Sequence, residues 1–141
     1  MCIRDRYING EAEELLPEKK EAFDVVTCLE AIEHVPDPHQ LVKTCSDLCK
    51  PGGTIVFSTI NRNPKSFLFA IIGAEYILNL LPKGTHEFKK FIKPSELSNM
   101  MRNSNLEVKE IIGMSYNPLT KKYWLGKDVD VNYLIHAEKS K

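Results

Sequence analysis

Two runs of β-branched and apolar residues stand out along the chain: Phe23–Leu29 (FDVVTCL) and residues 54–60 (TIVFSTI). Each is short and nearly all apolar, the pattern of a buried strand in a parallel sheet. Between them Leu41, Val42, Cys45, Leu48 and Cys49 recur with helical period. Asp37 is a good N-cap and Pro38 suits the first helical position. Lys50-Pro51-Gly52-Gly53 ends that helix and turns the chain. Strand, helix and strand in this order make one βαβ unit, with parallel strands and a right-handed crossover. The pattern therefore predicts an α/β sheet.

The flanking segments are less regular. Tyr7-Ile8-Asn9 has the composition of a strand stub, and residues 10–17 predict a turn and a short helix stopped by Pro17. Residues 18–21 (EKKE) form a charged linker. Residues 66–81 (SFLFAIIGAEYILNLL) are the most apolar stretch, with Glu75 as its only charge. At 16 residues it falls short of the ~20 that a membrane-spanning helix needs. Pro94 opens a further helix with apolar positions at Leu97, Met100 and Met101. Residues 106–114 suit an edge-side strand, 116–128 a long connection, and 129–138 the last strand. Two closing strands joined this way are expected to be antiparallel neighbours.

Composition narrows the function classes. The 141 residues carry 19 basic and 19 acidic side chains. This balance argues against nucleic acid as a partner. Cys2, Cys28, Cys45 and Cys49 form no CxxC pair, and small core residues in a reducing compartment is the favoured reading. Met1-Cys2-Ile3-Arg4-Asp5-Arg6 fits nothing that follows and has the look of a non-native leader. The expectation is one domain over 7–141, whose natural chain begins further upstream. No apolar run of the kind found in signal peptides occurs at the start.

Candidate chemistry lies just after the first strand. Ligands of open α/β sheets bind outside the carboxyl ends of the strands. Glu30, Glu33 and His34 stand there at i, i+3 and i+4, so one helical turn would gather them. Two carboxylates and an imidazole could hold a divalent cation; oxygen ligands suit magnesium, for which histidine is unusual. Alternatively His34 is a general base with no metal involved. The plainest alternative is a solvated acidic loop with His34 capping a turn.

These residues also carry a family resemblance. Residues 23–35 (FDVVTCLEAIEHV) are similar to the fourth strand and following loop of class I methyltransferases, and Lys50-Pro51-Gly52-Gly53 to their loop before the next strand. Residues 58–63 (STINRN), 73–78 (GAEYIL), 82–86 (PKGTH), 90–94 (KFIKP), 113–118 (GMSYNP) and 130–133 (DVNY) resemble the ubiquinone biosynthesis O-methyltransferases, in order and spacing. The resemblance implies a partial Rossmann-like class I methyltransferase sheet, mostly parallel with an antiparallel final strand and lacking the first strands. It implies S-adenosylmethionine as cofactor, touched by Leu29, with Glu11 and Ala12 flanking the adenine. It implies magnesium on Glu30, Glu33 and His34, and methylation of phenolic hydroxyls on a polyprenylated ring. The family's glycine-rich motif and the acidic residue that holds the ribose do not occur among these residues. The chain alone is therefore expected to be inactive.

Residues 61–93 form an apolar and basic insertion, with Arg62, Lys65, Lys83, Lys89, Lys90 and Lys93 opposed only by Glu75 and Glu87. An apolar helix flanked by positive charge can lie in a lipid interface and attract anionic headgroups. A helix packed on the sheet of an ordinary soluble protein fits the same pattern. In the family the insertion is implicated in lipid contact. Gly84-Thr85-His86 could close over a substrate, or His86 could equally be a plain surface residue. The implied location is the cytoplasmic face of a bacterial inner membrane, or the matrix side of the mitochondrial inner membrane. Other ubiquinone-biosynthesis proteins are candidate partners. Two other readings stand beside this one: a class I methyltransferase with a different acceptor, such as a carbon nucleophile, and a non-catalytic membrane-docking module. A nicotinamide-binding domain would need a glycine fingerprint that does not occur.

Overall fold

The structure, a computed structural model, describes residues 6–67, 88–117 and 120–141. The two apolar runs form adjacent parallel strands. β1 is Phe23–Leu29 and β2 is Cys49–Ile60. Between them α2 (Pro38–Leu48) follows α1 (Leu16–Lys19) in chain order. After β2 come α3 (Pro64–Ser66), α4 (Pro94–Asn103), β3 (Leu106–Asn117), β4 (Lys122–Gly126) and β5 (Asn132–Lys139). The strands make one sheet in the order β1-β2-β5-β3-β4. β5 runs antiparallel to both β2 and β3, so β1, β2 and β3 point the same way. This is the expected mixed sheet with its antiparallel final strand.

Local chemistry explains most boundaries. Asp37 Oδ1 accepts from Gln40 N at 3.1 Å and Pro38 follows at the start of α2. β2 begins earlier than expected because Lys50-Pro51-Gly52-Gly53 is absorbed as a bulge: residues 49–54 oppose only 23–25 of β1. Gly52 takes φ 76°, open to glycine without strain. Pro17 does not stop the first helix; a 3-10 turn at Ala12–Leu15 precedes it, and the proline occupies the first turn of α1. Residues 7–9 form no strand.

The core lies on one face of the sheet. Pairing puts Cys28, Ile55, Phe57, Ile135 and Ala137 on that face, with Thr59 and Tyr133 continuing the columns. α2 covers it with Val42 and Cys45, and α4 with Leu97 and Met101. Ser46 Oγ donates to Ser104 O at 2.6 Å and ties the two helices together. Cys28, Cys45 and Cys49 are buried with free thiols, as the core reading expects. The opposite face of β1 leaves Val25 and Leu29 exposed.

The connection 116–128 was expected to be irregular. Instead β3 continues to Asn117 and turns back as β4, pairing from Gly113↔Gly126 to Asn117↔Lys122. β3 is therefore interior to the sheet and β4 is its edge. Gly113 is required where the chain re-enters toward β5: a Cβ built there would fall 1.7 Å from the backbone oxygen of Asp128. The apolar stretch at 66–81 lies largely outside the described residues, and Gly84-Thr85-His86 wholly so. No helix among the described residues is long and apolar enough to cross a membrane.

Candidate functional site

The site is built where β1 and β2 end side by side. Glu30 follows β1 with φ 51°, a left-handed conformation that is uncommon outside glycine. Ser58 of β2 holds it there. Glu30 N donates to Ser58 O at 3.1 Å and to Ser58 Oγ at 3.0 Å, and Ser58 Oγ donates to Glu30 Oε1 at 2.7 Å. The chain then makes a 3-10 turn at Ile32–His34. Ile32 plugs the core, while Glu33 is buried at 3% exposure and its Oε2 accepts from Thr59 Oγ1 at 2.8 Å. Glu33 Oε1 is buried with no hydrogen-bond partner among the described residues.

Of the loop or single helical turn expected over residues 30–35, a 3-10 turn at Ile32–His34 forms, and it does not gather Glu30 with Glu33 and His34. Glu30 precedes the turn in its left-handed conformation and points to Ser58. Among the described residues no group of three or more His, Cys, Asp or Glu side chains could hold a metal ion. Glu33 and His34 instead share the wall of a cavity of about 790 Å³, with Arg62, Ile92 and Met100 around it. That is the size range of small-molecule sites. Arg62 forms an ion pair with Glu96 across this cavity's rim.

The two stems of the 61–93 insertion meet at the same place. Ile92 N donates to Ile60 O at 3.1 Å, and Asn61 N to Val131 O at 2.8 Å. Tyr133 sits beneath them, its hydroxyl donating to Ile92 O at 2.8 Å. Burial first, then the carboxylates of Glu96, Glu33 and Glu30, push its phenol well above the ordinary tyrosine range. A phenol whose folded-state pKa is raised contributes stability that is complete below about pH 10 and lost as pH rises beyond it. Tyr133→Phe should therefore lose stability less steeply above pH ~10 than the parent, at a cost of about 1 kcal/mol near neutrality. Urea unfolding at several alkaline pH values reads both effects, and identical slopes would contradict the assignment.

Leu29, at the carboxyl end of β1, is exposed and apolar. Glu11 and Ala12 lie at the head of the 3-10 turn whose Glu13 Oε1 accepts from Thr44 Oγ1 of α2 at 3.1 Å.

A family model described as a methyltransferase domain matches residues 4–111. The chain belongs to the methyltransferase domain family. Its mixed α/β sheet is consistent with an S-adenosylmethionine-dependent methyltransferase fold. Among solved structures, an S-adenosylmethionine-dependent methyltransferase from Thermotoga maritima superposes with a TM-score of 0.67 at 26% identity, over 94% of this chain and 63% of that one. A methyltransferase from Bacillus halodurans gives 0.61 at 16% identity, over 96% and 78%, which supports the fold alone.

Several relatives bear the name ubiquinone biosynthesis O-methyltransferase. That of Marinobacter nauticus is 66% identical over 86% of this chain and 51% of its own length. That of Pseudomonas syringae pv. tomato is 64% identical over 89% and 54%, and that of Saccharophagus degradans 60% over 94% and 57%. The methyltransferase chain thus spans about half the length of the curated relatives it matches.

Ser58 and Thr59 are the site residues that residue-by-residue reading missed. Their hydroxyls anchor both carboxylates. The signal was present: two adjacent hydroxyl residues at the carboxyl end of an otherwise apolar strand need buried acceptors.

Proposed function

We propose that the chain forms part of an S-adenosylmethionine-dependent O-methyltransferase of ubiquinone biosynthesis, which methylates phenolic hydroxyls of a polyprenylated catechol. The observation that carries this reading is the cavity at the carboxyl end of β1, walled by Glu33 and His34. Its context is 60–66% identity to relatives of that name. The acidic loop is not merely solvated, since Glu33 is buried and points its orphan oxygen into the molecule.

S-adenosylmethionine, when bound, supplies an electrophilic methyl group on a sulfonium. Leu29 would pack against it, and Glu11 and Ala12 would flank the adenine. β1 has no strand on its outer edge among the described residues, and Val25 is exposed on its open face. This is the edge on which the family's glycine-rich cofactor cradle would sit. His34 would accept the phenolic proton and leave the oxygen nucleophilic, while the bound cofactor would give up its methyl group and depart as the neutral thioether. Ile92 and Met100 exclude water from one side of the ring.

For magnesium the fit is incomplete. Glu33 Oε1 offers a buried ligand atom, but Glu30 Oε1 and Glu33 Oε2 already accept from Ser58 and Thr59. A cation on Glu30, Glu33 and His34 requires Glu30 to leave Ser58, so no step of the transfer is routed through it. The 61–93 insertion, rooted at the cavity, is proposed to meet anionic lipid and admit the prenyl tail. On this proposal the enzyme would sit peripherally at the bacterial inner membrane, or on the matrix side of the mitochondrial one.

Titration calorimetry tests the cofactor and the metal separately, on the protein at the full length of its relatives. S-adenosylmethionine should bind at one site per chain, and Leu29→Asp should weaken it. No heat from a folded protein would leave a docking module instead. Magnesium chloride should give little signal, in line with the incomplete fit; a strong signal that Glu33→Ala abolishes would instead assign a cation to Glu33.

A further inference from the structure

The β3–β4 hairpin is not used by the chemistry above. Because β3 points the same way as β1 and β2, its far end leaves the sheet on the side where Leu29 and Ile60 end. Residues 115–117 run past Asn132, where pairing with β5 stops, and pair only with β4. This arm carries Tyr123 at 67% exposure, Leu125 at 59% and Trp124 at 51%, with Tyr116 also exposed. The Tyr116 and Tyr123 rings stack at 4.5 Å.

Alternation along the strands divides these side chains. Tyr116, Tyr123 and Leu125 share one face of the arm, and Trp124 lies on the other. A protein partner docked on the arm would cover one face and leave the other wet. A medium that surrounds the arm covers both. The charges point the same way: Lys121, Lys122 and Lys127 flank the aromatics, with no acidic residue from 116 to 127. None of the three has an ion pair among the described residues. Tyr and Trp with flanking Lys is the composition that settles at headgroup level in an anionic bilayer.

The arm's base is tied to the insertion's root. Asn61 Nδ2 donates to Val129 O at 3.0 Å, and Lys65 bridges Asp128 and Asp130 at 2.9 and 3.0 Å. We infer that the β3–β4 hairpin is a membrane-interface arm that inserts Tyr123, Trp124 and Leu125 among anionic phospholipid headgroups, at the end of the sheet that carries the cavity. It would hold that end against the bilayer independently of residues 61–93 and of the acceptor methylated.

Trp124 is the only tryptophan in the chain, so its own fluorescence reports the arm. Vesicles of phosphatidylglycerol and phosphatidylcholine should shift its emission to the blue. Brominated acyl chains should quench it, and pure phosphatidylcholine should do neither. Replacing Lys121, Lys122 and Lys127 by Gln should weaken vesicle binding on the order of 100-fold, taking about five-fold per lysine near an anionic surface. Circular dichroism checks that the variant is folded. Vesicle binding with Trp124 unquenched would assign the contact to another segment and overturn the inference, as would an absence of binding. Equal affinity of the triple variant would also overturn it. None of these outcomes touches the methyl-transfer reading, which is measured without vesicles.

Discussion

Replacing His34 by alanine in the full-length enzyme should lower kcat by ~10²–10⁴-fold, the usual contribution of a positioned general base. The melting temperature should stay within about 1 °C, because the His34 side chain is exposed and substitutions away from the core cost little. His34 lines the cavity next to Glu33, and its backbone is fixed by His34 N donating to Ala31 O at 3.0 Å. The imidazole is thus presented by a rigid turn whose other side chain, Ile32, is fully buried. A variant with the parent's kcat would remove His34 from the chemistry. Loss of activity together with a large drop in melting temperature would reassign it to folding.

Phe57→Ala should cost about 3–5 kcal/mol, the range for deleting a buried aromatic from a core. Phe57 has no exposed surface and is flanked by Cys28 on β1 and Ile135 on β5. Its column continues through Thr59, which holds Glu33. Loss of the ring therefore loosens the only parallel pair among the described strands and the support of the site together. Leu29→Ala, two residues past Thr27 on the exposed face, should change stability by less than about 0.5 kcal/mol. Denaturant unfolding of both variants makes the comparison. A Phe57→Ala cost below about 1 kcal/mol would mean that the core does not close over this strand as described.

The elements that were legible beforehand are those in which local and tertiary signals agree. β1 was placed to the residue because a β-branched run sits between a charged linker and an acidic loop. α2 was bounded by Asp37 and Pro38 at one end and by the Lys50-Pro51-Gly52-Gly53 segment at the other. β4 was not legible: KYWLG is short, follows Asn117-Pro118, and acquires its register only from pairing with β3. The closing strand was expected from Val129 and begins at Asn132, because 128–131 is committed to Asn61 and Lys65.

At the site, spacing alone misled. The positions of Glu30, Glu33 and His34 suggested one helical turn, but Glu30 adopts a positive φ stabilised by Ser58, a residue 28 positions away. Such a contact is tertiary and leaves no trace in local periodicity. Proximity of Glu33 and His34 did survive, because the two are adjacent in the 3-10 turn that forms.

The most direct measurement is transfer of a labelled methyl group from S-adenosylmethionine to a prenylated catechol by the full-length protein. The product is to be analysed for the position of the label. Label on a ring hydroxyl oxygen, strongly reduced in His34→Ala, is the predicted result. Label on a ring carbon, or none from a folded protein that binds the cofactor, would contradict the O-methyltransferase reading.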